Sequence, residues 1–169
     1  MKKIFYVNNI RFPTEKAHGI QIAKMCESFA KHGYEVELVI PRRHTDIKLN
    51  PFEYYSIEPN FTVTRLPCID FSSFGRVGFY IQSLSFLLVA VAYSIFRNGT
   101  FYTRDQAFGA VLPLFFKKVF WESHSAIDSN LAFWALRNTA GTIVITNKIK
   151  EFYVSHGFPA ERMLVEHDA

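Results

Sequence analysis

Few residues in this chain of 169 carry chemistry by type and position together, and most of them stand directly behind short apolar runs. Asn8 and Asn9 follow the run 4–7, Pro41, Arg42 and Arg43 follow 35–40, and Arg104 and Asp105 follow 100–103. Glu122, Ser123 and His124 follow 119–121, and Thr146 and Asn147 follow 142–145. If those runs are parallel strands, these residues gather at carboxyl ends, where open α/β sheets bind ligands. Gly19 adds the start of a helix, whose free N–H groups and dipole favour an anion. Cations, amides and one imidazole around such a terminus make a cradle for phosphates and sugar hydroxyls. His124 is singled out for mechanism, because an imidazole flanked by Glu122, Ser123 and Ser125 can donate, accept or carry a proton. Plainer readings stand beside these. His124 can be a structural or merely exposed histidine, and Glu122 a strand-end carboxylate satisfied by backbone N–H groups. Arg104 can be a solvated charge; for Arg42 and Arg43 solvation is the favoured reading. Gly19 can serve only to let a helix approach a strand closely.

Other chemistries are poorly served. The first loop carries Gly19 alone rather than G-x-G-x-x-G, and the second strand ends in Pro41-Arg42 where NAD binding wants an acidic residue. No phosphate-binding G-x-x-x-x-G-K-[ST] loop, H-E-x-x-H or G-x-S-x-G occurs. The 6 histidines are scattered without carboxylate or thiol companions at ligand spacing, so no metal site is expected.

The elements that must hold these residues are organised around the stretch 3–32. Ile4 to Val7 is apolar and rich in β-formers, as a strand covered on both faces would be. After a polar loop, Gly19 opens a segment in which Ile22, Ala23, Cys26, Phe29 and Ala30 share one helical face. Gly33 stops it and 35–40 is the next strand, so this is a right-handed β–loop–α–β crossover. Asn50-Pro51 reads as an N-cap with proline at the first helical position, predicting a short helix through Tyr55. A strand is expected over 61–66, a mobile loop over 70–78, and a long apolar helix over 79–96 ending at Asn98-Gly99. Strands follow at 100–103, 119–121, 142–145 and 163–166, with helices at 107–116, 131–137 and 148–156 between them. Pro113 leaves the end of the first of these helices open. Six or seven strands alternating with helices predict an α/β domain, a Rossmann-like open parallel sheet with helices on both faces. Residues 1–169 form a single such domain. The chain stops at His167-Asp168-Ala169, just behind a strand, and so reads as one half of something larger.

Composition narrows the class. Hydrophobic residues are 49%, aromatics 17% and phenylalanine alone 18 copies, which excludes a disordered chain. Charged residues are only 20%, so much of the surface is expected to face something other than water. A net charge of +4 suits phosphates, an anionic membrane or nucleic acid. No aromatic–basic motif recommends nucleic acid. Cys26 and Cys68 form no metal-ligand spacing, and Cys26 falls on the apolar helix face, which fits a buried thiol in a reducing compartment. Lys2-Lys3 lead straight into a strand with no cleavable signal pattern, hence a cytoplasmic expectation. The stretch 79–96 has about the length of a marginal membrane span, but Gln82, Ser83, Ser85 and Ser94 interrupt it. A buried core helix or an interfacial helix is the favoured reading.

Four segments in order carry a resemblance: Ala17-His18-Gly19-Ile20-Gln21, Tyr102-Thr103-Arg104-Asp105, Phe120-Trp121-Glu122-Ser123-His124 and Ile143-Val144-Ile145-Thr146-Asn147-Lys148. Together they resemble the N-terminal domain of a GT-B glycosyltransferase of family 4, the glycogen synthase and capsular polysaccharide type, over essentially the whole chain. The resemblance implies a retaining, metal-independent hexosyl transfer from a nucleotide sugar, which is a co-substrate and not a bound cofactor. It implies that Gly19 and Ile20 approach the donor diphosphate through backbone N–H groups and that His124 contacts the transferred sugar as the catalytic residue. Gln21, Arg104 and Glu122 would line the acceptor side. It further implies a polysaccharide or lipid-linked acceptor, docking on the inner face of an anionic membrane, and a C-terminal nucleotide-sugar domain that this sequence lacks. Many relatives carry two glycines where this chain has one. The isolated chain is therefore expected to turn over poorly, its missing half coming from a longer gene or a separate chain. The competing reading is a non-catalytic module that binds a glycan, a lipid or a partner subunit.

Overall fold

The computed structural model describes residues 2–166. They fall into two compact units, one up to Gly99 and one from Thr100 onward, each built from the β–α alternation expected from the sequence.

The first unit begins with β1 (Lys3–Val7), whose side chains are buried from Ile4 onward. Helix α1 (Ala17–Lys31) buries Ile22, Ala23 and Cys26, the face that its periodicity marks, and Gly33 at φ +84° turns the chain into β2 (Glu35–Pro41). The short α2 (Pro51–Tyr54) starts as predicted, with the Asn50 side chain accepting from the Phe52 N–H. Strand β3 (Thr62–Leu66) completes a parallel set in the order β3-β2-β1, with Ile4 opposite Val36 and Val39 opposite Thr64.

The stretch 70–78 is not a loop. A 3-10 turn (Ser72–Phe74) leads directly into α3 (Gly75–Ile95), which starts four residues before the expected helix. The helix is also not a core helix. Its inward stripe is Gly78, Gln82, Phe86, Ala90 and Ser94, spaced by four, while Val77, Ile81, Leu84, Leu88 and Ile95 face out. Val77 is 69% and Leu88 63% exposed, so the polar residues that interrupt the run are the ones turned inward. By length and composition alone α3 could cross a membrane.

The second unit holds β4 (Thr100–Thr103), β5 (Val119–Ser123), β6 (Gly141–Val144) and β7 (Met163–Val165), parallel and paired in that order. Between them run α4 (Gln106–Val111), α5 (Asn130–Asn138) and α6 (Asn147–Ser155), each opened by a side-chain cap from Asp105, Ser129 and Thr146. Pro113 has no N–H to give a longer helix, and the chain beyond α4 tightens to a 3-10 turn at Leu112–Leu114. Trp121, Ala132, Ala135, Val144 and Tyr153 are fully buried and form its core. The seven strands and their parallel pairings make this a Rossmann-like α/β fold. The expectation drawn from His167, Asp168 and Ala169 lies outside the described residues.

Candidate functional site

In the first unit the carboxyl ends of β1 and β2 border a pocket of about 430 Å³ at the mouth of α1. Its floor is a loop that side chains pin at three points. The Tyr55 hydroxyl accepts from the Thr14 N–H at 2.7 Å and donates to the Thr14 carbonyl at 2.8 Å. Thr45 Oγ1 donates to the Pro13 carbonyl at 3.1 Å, and Arg65 Nη2 to the Phe12 carbonyl at 3.3 Å. Asn9 is fixed from α3, its Oδ1 accepting from Gln82 Nε2 at 3.0 Å and its Nδ2 donating to Ser83 Oγ at 2.9 Å. A backbone held this way keeps its shape when a ligand arrives, which limits the ordering cost of binding.

The wall is basic. Arg11, Lys16, His18 and Arg43 line it, with Glu15 and Asp46 as the acidic members. Arg43 is not solvated, as Arg42 is; its side chain is only 9% exposed. Asp70 Oδ1 lies 3.6 Å from its Nε, an ion pair without a hydrogen bond, and the buried Nε–H has no hydrogen-bond partner among the described residues. Burial pulls the guanidinium below the ordinary arginine value, with Asp70 opposing.

Gly19, Ile20 and Gln21 all lie in the first turns of α1, but Gly19 does not open the helix; Ala17 and His18 precede it. Its N–H already donates to the Lys16 carbonyl at 2.9 Å. A Cβ there would collide with the Tyr55 hydroxyl and come within 2.6 Å of Thr14 Cγ2. The glycine is thus explained by the close seating of α1 on the pinned loop. Ile20 is exposed. No acidic residue occupies the first turn of α1, and Lys16 at its N-cap makes no side-chain cap bond.

The second unit brings Arg104, Glu122 and His124 together. Pairing of β4 with β5 sets Tyr102 beside Phe120 and Thr103 beside Trp121, so the two strand ends deliver their polar residues at one level. Glu122, nearly fully buried, accepts from the Tyr102 hydroxyl at 2.7 Å and from His124 Nε2, and lies 3.7 Å from Arg104 Nε. Arg104 Nη2 meets His124 Nδ1 at 2.7 Å. A guanidinium can only donate, so Nδ1 accepts and Nε2 carries the hydrogen that points at Glu122. Burial pushes the Glu122 carboxyl up, yet the bonds from His124 and Tyr102 and the charge of Arg104 outweigh it. The group sits below the ordinary glutamate value. With both ring nitrogens engaged, the imidazole is built to hold a position. Tyr102 is the member that sequence reasoning left out; its signal was a phenol on β4 two residues before Arg104.

The loop behind β5 is fixed as well. Ser123 Oγ donates to the Ser125 carbonyl at 2.9 Å, and the Tyr153 hydroxyl of α6 reaches Ser123 Oγ at 2.9 Å. Asp105 accepts from the Ala107 N–H at 2.8 Å; burial raises its carboxyl against that bond. Among the described residues no group of three or more His, Cys, Asp or Glu side chains could hold a metal ion.

No family model matches this chain, and no curated protein matches it. Solved structures do. Anabaena HepE in complex with UDP aligns with 100% of this chain at 13% identity and a TM-score of 0.61, over 44% of the HepE chain. HepE with UDP and glucose gives 14% identity and a TM-score of 0.63, over 100% of this chain and 45% of that one. The apo form of WaaB, a lipopolysaccharide outer core galactosyltransferase, gives 13% and 0.57, covering 98% of this chain and 45% of WaaB. The fold of the chain matches that of the aligned part of these structures, which are GT-B glycosyltransferases. At these identities the likeness concerns fold alone, and the chain spans less than half the length of each structure that it matches.

Proposed function

We propose that this chain is the acceptor-side half of a retaining glycosyltransferase of family 4. It would move a hexose from a nucleotide-sugar donor to a polysaccharide or lipid-linked glycan, with no metal ion or bound cofactor. The observation that carries this reading is the likeness along the whole chain to a structure solved with UDP and glucose. The Arg104–His124–Glu122–Tyr102 cluster supports it, because a rigidly held imidazole at a strand tip is suited to orient a sugar. In this reading His124 contacts the transferred sugar, while Arg104, Glu122 and Gln21 line the acceptor side. The donor diphosphate approaches the first turn of α1 at Gly19 and Ile20. Gly19 acts by seating that turn against Thr14 and Tyr55, its own N–H being engaged with Lys16. The outward apolar stripe of α3, without a single acidic residue, suits docking on the inner face of an anionic membrane. The nucleotide is held by a second domain, in the same or another chain.

Titration calorimetry of this chain with UDP-glucose and other nucleotide sugars is expected to give weak or no binding; micromolar binding would overturn the assignment to the acceptor side. In a protein that also carries the donor-binding domain, His124→Ala is expected to lower transfer of labelled sugar roughly a hundredfold, since misplacing a reacting group costs about that much. Circular dichroism should show an unchanged fold. Near-normal turnover would remove His124 from the mechanism.

A further inference from the structure

We infer that the second unit carries a lipid-contact surface of its own, with Leu114, Phe115, Leu131 and Trp134 as its apolar part, and that its partner is the headgroup region of an anionic bilayer. This contact is additional to the one read from α3, stands on different residues, and does not depend on glycosyl transfer.

The core has no need of these four side chains. Leu112 is fully buried and Phe116 stacks on Phe101 with ring centroids 4.2 Å apart, so the turn behind α4 is anchored by its inward residues. Leu114, 60% exposed, and Phe115 are left in solvent. On α5, Ala132, Ala135 and Leu136 do the packing, while Leu131 and Trp134, three positions apart, share an exposed face. Trp134 also ties the two helices together. Its Nε1–H donates to the Ala110 carbonyl of α4 at 3.1 Å, which fixes an indole that is 46% exposed. Large apolar side chains gathered in this way mark a contact with a protein or with a membrane.

The charges decide for the membrane. Between Asp105 and Glu122, and again between Asp128 and Glu151, the sequence holds no acidic residue. The same segments supply cations. Lys117 and Lys118 follow Leu114 and Phe115 almost directly, Arg137 lies one helical turn beyond Trp134, and all three are exposed. Protein interfaces are depleted in lysine, whereas an anionic bilayer attracts each lysine that comes near it. Long lysine stems can lie along apolar groups while their ammonium heads reach lipid phosphates. Tryptophan, with an apolar body and a polar N–H, suits the boundary between hydrocarbon and water.

The test is tryptophan fluorescence of the whole chain with vesicles of phosphatidylcholine and phosphatidylglycerol. The chain has 2 tryptophans and Trp121 is fully buried, so a change on adding vesicles reports Trp134. A shift of the emission to shorter wavelength, and quenching when the acyl chains are brominated, are expected; Trp134→Phe should lose both. Lys117→Gln with Lys118→Gln is expected to weaken vesicle binding about tenfold or more, as each lysine near such a surface contributes roughly fivefold. Leu114→Gln with Phe115→Gln should reduce the quenching at an unchanged melting temperature, since both side chains are exposed. An emission that vesicles leave unchanged, or equal binding to phosphatidylcholine alone, would overturn the inference. So would a shift produced without lipid by raising the protein concentration, which would make the patch a contact between copies of the chain. A silent Trp134 in a chain that still floats with vesicles would leave the α3 contact standing. Flotation that ignores substitutions on α3 would leave this one.

Discussion

Replacing Gly19 by alanine separates two explanations of that residue, a ligand contact and a packing contact. In an open helix interior the change would stabilise by about 1 kcal/mol. Here the new Cβ would meet the Tyr55 hydroxyl, with Thr14 Cγ2 at 2.6 Å and the Thr14 carbonyl at 3.1 Å. Tyr55 cannot swing aside cheaply. It is 6% exposed, and its hydroxyl holds both the N–H and the carbonyl of Thr14, bonds of about 1 kcal/mol each. Overpacking of this kind costs about 1–3 kcal/mol and displacing Tyr55 forfeits about 2 kcal/mol more, so with the helix gain deducted Gly19→Ala is expected to lose about 2–4 kcal/mol net. For a chain of this size each kilocalorie shifts the melting temperature by about 2–4 °C, which predicts a fall of several degrees. Gly33→Ala is the control: its Cβ would meet nothing within 4 Å, so only the strain of φ +84° remains. Urea and thermal denaturation followed by circular dichroism measure both. A Gly19→Ala chain as stable as wild type would refute the packing account and return the glycine to a ligand role.

Two further expectations concern other parts of the molecule. The Glu122 carboxyl lies below its ordinary value in the folded state, so its stabilisation is complete above about pH 4.3 and vanishes as the pH drops through the folded value. Tyr102→Phe removes one of the donors and so brings the folded value nearer the unfolded one; the variant should be less stable near pH 7 and lose less stability on acidification than wild type, and parallel curves in a urea midpoint series from about pH 7 to pH 3 would contradict the cluster's electrostatics. On α3, Leu84→Glu with Leu88→Glu adds charge to an exposed face, so the melting temperature should hold while flotation with phosphatidylglycerol vesicles is lost. Unchanged flotation would exclude that face as the docking surface.

The strands were legible because a parallel strand covered on both faces is an apolar run, as in Ile4 to Val7, in Val119 to Trp121 and, with Glu37 as its one interruption, in Val36 to Ile40. The helix caps were legible where the chemistry is local, as at Asn50-Pro51. What failed depends on partners distant in sequence. The serines and glycines of 70–78 spell a loop, yet Gly78 is a helical residue whose missing Cβ lets α3 pack on the Phe71 carbonyl. The run 79–96 looks like a core helix by composition; only the spacing by four of Gly78, Gln82, Phe86, Ala90 and Ser94 shows that its polar side faces in. Gln82 turns inward because Asn9, 73 positions away, takes its amide. Arg43 read as a solvated charge for the same reason: nothing near it in sequence reveals that Asp70 and the pocket wall enclose it. Arg104, Glu122 and His124 could be named singly from strand ends, but the bond order among them needs the β4–β5 register.

Helix α3 joins the two features of the first unit that point to a ligand. Its inward face holds the pocket behind β1 and β2 in shape: Gln82 and Ser83 fix Asn9, Phe79 forms part of the wall, and Ser85 accepts from the Ile69 N–H beside Asp70. Its outward face is the apolar stripe of Val77, Ile81, Leu84 and Leu88, continued by a small apolar cleft with Phe71 and Phe74. A glycan acceptor carried on a hydrocarbon chain would find both halves of its chemistry on this one element, the glycan at the pocket and the tail along the stripe or in the bilayer that the stripe enters. A soluble glycan would use the first half only. The glutamate substitutions at Leu84 and Leu88 therefore distinguish the two, because they leave the pocket intact: they should weaken retention of a lipid-linked glycan in vesicles while a soluble glycan binds as before. Equal loss of both would mean that the outward face shapes the pocket and is no separate docking surface.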